Sequence, residues 1–391
     1  MNELNEPIAS PTRTGPARDA SHALSPRAHP HVHGPAQVRT MMLWVMAALL
    51  PATLYGFSAY GAPALALFTV TLAAALVSEA LGLAIARRPV LRGLGDGSAI
   101  LTAWILALSL PPWAPLWLGA LGGAFAIIVG KQIFGGLGNN LFNPAMLARV
   151  MLLVAFPAEM TQWLAPFDHS PCDGGEAAAA WWLQFVGGLG SCPSVQTQLD
   201  AVSSASYLGA TQLQLSGGQD LALLSHGVTA PSLLQAGPGS LGEAAPGLVL
   251  LGGVFLIAVR VIDWHIPAAM LGSLAALSAI GYHVSPEAIL GPVPAVLSGS
   301  VLLGAFFIAT DPVTSPVTRI GRLVFGAGCG VLVFAIRAFG AFPEGVAFAV
   351  LLMNACTPLI DHWFRPRIYG RDRRGRALTM PRAIGARDNK D

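Results

Sequence analysis

Arg149-Val150-Met151-Leu152-Leu153-Val154-Ala155 opens the most telling stretch of the chain, because the next basic side chain after Arg149 is Arg260. Between these two arginines the chain has neither Lys nor Arg. Apolar, Gly-rich blocks lie on both sides of the stretch, and the arginines gather in other connections. Loops rich in Lys and Arg stay on the cytoplasmic side of a bilayer, so the segment that lacks them is predicted to be exported. Hydrophobic residues make up 54% of the chain and charged residues 11%, against about 25% charged in a soluble domain. That is too little charge to cover a globular surface. The net charge is only +2, and the arginines cluster at chain ends and in short loops beside apolar blocks. This argues against nucleic-acid binding.

Ten apolar blocks can be read on either side of that stretch: 40–60, 64–86, 98–112, 115–134, 144–163, 246–262, 266–284, 293–310, 322–341 and 344–362. A hydrocarbon core of ~30 Å needs ~20 helical residues. Several blocks fall short or are cut by Pro or Gly, as at Pro111-Pro112 and Asp311-Pro312. Broken helices survive in a membrane only where protein or a cavity receives the freed backbone groups, so the third and eighth blocks are predicted to line something. With ten spans, Arg39, Arg87, Arg88, Arg92, Lys131, Arg149, Arg260, Arg319, Arg322 and the arginines from Arg365 onward fall on one side. Arg337 alone dissents. The fold class is thus all-α: a polytopic membrane helix bundle of about ten transmembrane helices, with both termini cytoplasmic.

The expected organisation is a polar, Pro- and His-rich segment 1–36 without a signal-peptide core, a first transmembrane repeat 37–163, an exported loop 164–243, a second repeat 244–363 and a basic tail 364–391. Asp96-Gly97-Ser98-Ala99-Ile100-Leu101 resembles Ser298-Gly299-Ser300-Val301-Leu302-Leu303, and Ile133-Phe134-Gly135-Gly136 resembles Ala338-Phe339-Gly340-Ala341. Each pair lies roughly 200 residues apart, the mark of an internal repeat. Five spans per repeat is an odd number, so the two halves would insert with opposite topology.

Three further stretches carry a family resemblance: Leu141-Phe142-Asn143-Pro144-Ala145-Met146, Asp263-Trp264-His265-Ile266-Pro267, and Leu303-Gly304-Ala305-Phe306-Phe307-Ile308-Ala309-Thr310-Asp311-Pro312-Val313-Thr314. With Pro343-Glu344-Gly345-Val346 and Arg365-Pro366-Arg367-Ile368-Tyr369-Gly370, they resemble the membrane-embedded D subunit of Rnf electron-transport complexes. That group is related to the B subunit of sodium-pumping NADH:quinone reductases. The resemblance implies a bacterial inner-membrane component of a complex that couples electron exchange between ferredoxin and NAD to sodium or proton movement. Its implied partners are the other membrane and peripheral subunits, membrane lipid and a flavin transferase.

The resemblance also implies an FMN held by a phosphoester to a hydroxyl side chain, in the pattern Asp-x-x-Ser/Thr-x-Ala-Thr. Asp200, Ser203 and Ala205 match it, and Ser206 stands where Thr is usual. A second hydroxyl, Thr211 in Gly209-Ala210-Thr211-Gln212-Leu213, matches only the end of the pattern. Ser206 and Thr211 therefore both remain candidates. A second, non-covalent flavin (riboflavin or FMN) is implied within the bundle. The run Gly135-Gly136-Leu137-Gly138-Asn139-Asn140 and Asn143 could approach it, since glycines permit close backbone contact and amides both donate and accept.

Charges inside spans are costly and carry functional interest. Glu79 lies inside the second block and is read either as part of an ion route or as a member of a pair within the bundle. Asp311 is read as helix-end structure or a flavin contact. Asp361 is expected to pair with Arg365, and Asp263 with Arg260. Cys329 and Cys356 are expected to pack as small hydrophobes, while Cys172 and Cys192 could bridge in an exported loop. His29, His31 and His33 read as a solvated segment. Two other readings remain: a permease-like transporter without redox work, which inverted repeats and broken helices suit equally, and the B subunit of a sodium-pumping quinone reductase.

Overall fold

The computed structural model describes residues 38–161, 163, 208–209, 211, 239–340, 342 and 344–365. Asp200, Ser203, Ser206, Cys172, Cys192, the three N-terminal histidines and the basic tail lie outside these residues.

Helix occupies every one of the ten apolar blocks. Among the described residues, five helices are long and apolar enough to cross a membrane: α1 (Val38–Tyr60), α2 (Ala62–Ile85), α9 (His265–Val284), α12 (Arg319–Phe339) and α13 (Val346–Trp363). The others are shorter. They are α3 (Val90–Leu94), α4 (Ser98–Ser109), α5 (Leu116–Ile127), α6 (Pro144–Ala155), α7 (Pro157–Met160) and α8 (Pro246–Ala258). The eighth block is divided into α10 (Pro292–Leu297), α11 (Val301–Leu303) and a π-helical turn, Gly304–Ile308.

The local sequence explains the boundaries. Gly97 takes a left-handed φ of 78° ahead of α4, and Asp96 Oδ1 accepts the Ser98 amide at 2.8 Å. Asn143 caps α6 by accepting Ala145 N at 3.1 Å and Met146 N at 3.3 Å, with Pro144 at the first helical position, where no donor is needed. Thr318 caps α12 through the Gly321 amide. At ~1.5 Å per residue, α4 and α6 each reach only ~18 Å, well short of the hydrocarbon core.

The two halves pack alike. In the first, α5 runs parallel to α2: Gly119 meets Leu67 and Thr71, and Gly123 meets Thr71 and Ala75. In the second, α12 runs parallel to α9: Gly326 meets Ile266 and Ala269, and Gly330 meets Met270, Ser273 and Leu274. A Cβ on Gly123 would sit 2.5 Å from Thr71 O, and one on Gly330 2.4 Å from Met270 O. Both are small-xxx-small seams of the kind that lets membrane helices approach closely. The pairs point oppositely. Lys131, just past the end of α5, and the starts of α9 (Ile266) and α12 (Arg322) line one cavity at the same end of the bundle. Helices α1 with α8 and α6 with α13 pack across the halves. The result is an inverted repeat in a polytopic helical membrane protein.

Candidate functional site

A cavity with about 250 Å³ of water-accessible interior opens at the arginine-bearing end, between the halves. Its polar wall includes Ser98, Lys131, Asn140, Asn143, Thr310 and Asp311, and its apolar wall includes Met42, Leu101, Ile105, Phe306 and Phe307. Two π-helical turns shape it. Ile128–Gln132 closes with Ile133 N donating to Ile128 O at 3.0 Å, and Gly304–Ile308 with Ala309 N donating to Gly304 O at 2.8 Å. Such turns are rare and cluster at functional sites.

Of the sequence candidates, the fold brings Asn140, Asn143 and Asp311 together here and leaves Asn139 out. Gly138, at φ 93°, turns the chain so that Asn139 is exposed and Asn140 is buried. Asn140 donates to Phe142 O at 3.2 Å, and its buried Oδ1 has no partner among the described residues. Asn143 spends its oxygen on the α6 cap and directs its nitrogen toward Ile308 O at 3.5 Å. With the Asn354 amide turned to satisfy both its ends, its oxygen accepts the Asn143 backbone amide at 3.0 Å and its nitrogen donates to Val350 O. Asp311 accepts Val313 N and Thr314 Oγ1, each at 3.2 Å. It thus closes the end of its helix while lining the cavity. Loss of surrounding water pushes its carboxyl above the ordinary aspartate range, against these two hydrogen bonds.

Glu79 is paired. Lys131 Nζ donates to Glu79 Oε1 and to Ser98 Oγ, each at 2.7 Å, and Ser98 Oγ donates on to Asp96 Oδ1 at 2.6 Å. Glu79, Lys131 and Ser98 are all buried. Lys131 therefore serves as an interior cation and not as the cytoplasmic flank expected from its place beside an apolar run. Arg149 is corrected in the same way: it is buried and forms an ion pair with Glu344. A signal exists in the sequence, since both sit inside or against apolar runs.

Three smaller expectations fail. Asp263 pairs with Arg322 on α12 instead of Arg260, because Arg260 turns at a left-handed φ of 61°. Asp361 accepts Val317 N at 3.1 Å, while Arg365 bonds His362. Cys329 is buried as expected, but Cys356 is exposed on its helix. The dissenting Arg337 finds its reason at the broken eighth block. There it donates to Ala295 O at 2.7 Å and Ser298 O at 3.1 Å.

Far from the cavity, Thr211 is buried, and its hydroxyl donates to Leu208 O at 2.8 Å. Leu208 lies against Gly299, in the break between α10 and α11.

Comparison with known proteins places this arrangement. A model of the NQR2, RnfD, RnfE family matches residues 26–370. The chain belongs to this family. Relatives include a protein of Halorhodospira halophila, 50% identical over 91% of this chain and 98% of its own length. Another, from Stutzerimonas stutzeri, is 48% identical over 88% and 95%. A third, from Aeromonas hydrophila, is 44% identical over 88% and 98%. Each is named as the D subunit of an ion-translocating oxidoreductase complex. Within the family match fall the cavity, both glycine seams and the Arg149–Glu344 pair.

Proposed function

We propose that this chain is the membrane-embedded D subunit of an ion-translocating oxidoreductase complex, coupling electron transfer between ferredoxin and NAD to sodium or proton movement. The family match and the shared name of relatives spanning nearly the full chain support this reading. The arginine-bearing end is then cytoplasmic, in a bacterial inner membrane, and the cavity lies toward that side.

The cavity fits a flavin ring. Its size falls just under the ~300–1,000 Å³ of typical ligand pockets. Phe306, Phe307, Met42 and Ile105 offer an apolar slot. Asn140 Oδ1, without a partner among the described residues, can accept from a ring N–H, and the Lys131–Glu79 ion pair lies on the same polar wall as Ser98. A flavin bound here would supply one- or two-electron redox chemistry, while the protein fixes its place and electrostatics. Asn140 would orient the ring edge, and the α6 cap would hold the wall on which Asn143 stands. The observation that carries this second-flavin reading is a buried acceptor, without a partner among the described residues, beside the apolar slot of the pocket.

The covalent FMN belongs to the opposite side, on Ser206 or Thr211. Thr211 is buried with its hydroxyl already hydrogen-bonded, so attachment there requires the Leu208–Thr211 turn to open or to be modified before it packs. The test is protein matured in a host that has the flavin transferase. Denatured chain should fluoresce and carry the added mass of one FMN. Loss of that mass in Ser206→Ala assigns the first site, and loss in Thr211→Val the second. Mature native chain without any added flavin overturns the reading in favour of a transporter without redox work.

A further inference from the structure

We propose that Glu243 and Glu344 form a proton-binding carboxyl pair, a site at the end of the bundle opposite the cavity that takes up and releases one proton. Glu243 lies in the turn before α8, and Glu344 lies before α13. Their carboxyl groups are close neighbours, set among Arg149, Ser240 and Ser300. Two carboxylates set this close favour holding one proton between them, since each charge raises the cost of the other.

The surroundings treat the two acids differently. Glu344 is held by Arg149 and by the Ser300 amide at 2.9 Å. Among the described residues, Glu243 accepts from the Ser240 hydroxyl, at 2.6 Å. Both carboxylates rest over glycines. A Cβ on Gly239 would stand 2.6 Å from Glu243 Oε2, and one on Gly299 2.9 Å from Glu344 Oε1. Gly299 also needs its left-handed φ of 67°. A side chain at either place would separate the pair.

A second observation is independent of these contacts. Ser300 is 1% exposed, and its hydroxyl has no partner among the described residues, beside the carboxylate that its own amide holds. A buried hydroxyl left this way can donate to or accept from its neighbours as their protonation changes. The other groups facing the pair are Tyr60 from α1, whose hydroxyl donates to Gly239 O at 3.3 Å, and Arg337 from α12. Burial first, and then the Glu344 carboxylate, push the Glu243 carboxyl well above the glutamate range.

In the loaded form the proton sits on a Glu243 oxygen and is donated to the Glu344 carboxylate. On release it passes to water, leaving two carboxylates facing Arg149 and Arg337, and no electron moves. The use of this site in ion translocation rests on the proposed function; its existence does not.

Infrared difference spectroscopy of the full chain in lipid nanodiscs tests the site directly. A carboxylic-acid band sensitive to D2O is expected near neutral pH, and Glu243→Gln should abolish it. Ser240→Ala removes a donor that favours the charged form, so the titration midpoint of the band should rise by about one pH unit. A native chain without the band, or a Glu243→Gln chain that keeps it, overturns the proposal. If the Gln variant does not fold, Ser240→Ala decides alone, and an unmoved or lowered midpoint overturns it.

Discussion

Lys131 reaches across from the π-helical end of α5 to set its ammonium 2.7 Å from Glu79 Oε1, with both side chains buried. The pair ties the two parallel helices of the first half together at the cavity end. A buried ion pair is costly to break from one side, because the partner left behind keeps its charge without compensation. Glu79→Leu and Lys131→Met are each expected to destabilise the chain by about 3–5 kcal/mol. Glu79→Leu combined with Lys131→Met should recover much of that. Thermal unfolding in detergent, read as a double-mutant cycle, checks it. Additive losses would show that the two side chains do not act as a pair.

The glycine seams should tolerate no side chain. Gly330→Ala forces a methyl group against the Met270 carbonyl and is expected to cost about 1–3 kcal/mol through overpacking. Gly272, on the same helix as Met270, has open space around the position of a Cβ. Gly272→Ala should instead be neutral or stabilising by up to about 1 kcal/mol. Comparing the two melting temperatures separates a packing effect from helix propensity.

Asn140 and Asn143 stand close in sequence but should fail differently. Asn143→Ala loses a helix cap and the link to Asn354, which should cost about 1–2 kcal/mol. Asn140→Ala removes an acceptor that has no partner among the described residues and one long hydrogen bond to Phe142 O, so stability should fall by no more than about 1 kcal/mol while non-covalent flavin content falls. Flavin extraction and thermal unfolding on the same samples distinguish the outcomes.

Asp311 should impose a pH dependence on stability. Its carboxyl holds a proton more tightly in the folded chain than when unfolded, because burial disfavours the charge. Its contribution is then complete below the ordinary aspartate value near 3.8 and is lost as pH rises through the raised folded value. The melting temperature should decline across that interval, and Asp311→Asn should flatten the decline. An identical slope in both proteins would show that Asp311 is not its source.

Arg337 should matter to the broken eighth block. Arg337→Met leaves the Ala295 and Ser298 carbonyls without their donor. Each unsatisfied buried acceptor costs about 1–3 kcal/mol. Faster amide hydrogen exchange confined to 292–308 is the expected signature.

The class of fold and the breaks in it are legible in one dimension. Apolar runs, arginine-bearing connections and the prolines at 111, 112 and 312 are local signals along the chain, and hydropathy reads them directly. The weak repeat is legible for the same reason, although its clearest mark, the Gly119–Gly123 and Gly326–Gly330 seams, emerges only when the helices are seen in contact. Partner choice belongs to three-dimensional packing. Lys131 and Arg149 look like cytoplasmic flanks in sequence, because a positive residue near the end of an apolar run has that appearance whether it faces water or a buried carboxylate. Asp263 chooses Arg322 over the nearer Arg260, and Asn140 enters the cavity while Asn139 does not. Charge pairing and cavity lining depend on which helix faces lie within a few ångströms across the bundle, and chain distance carries almost none of that information.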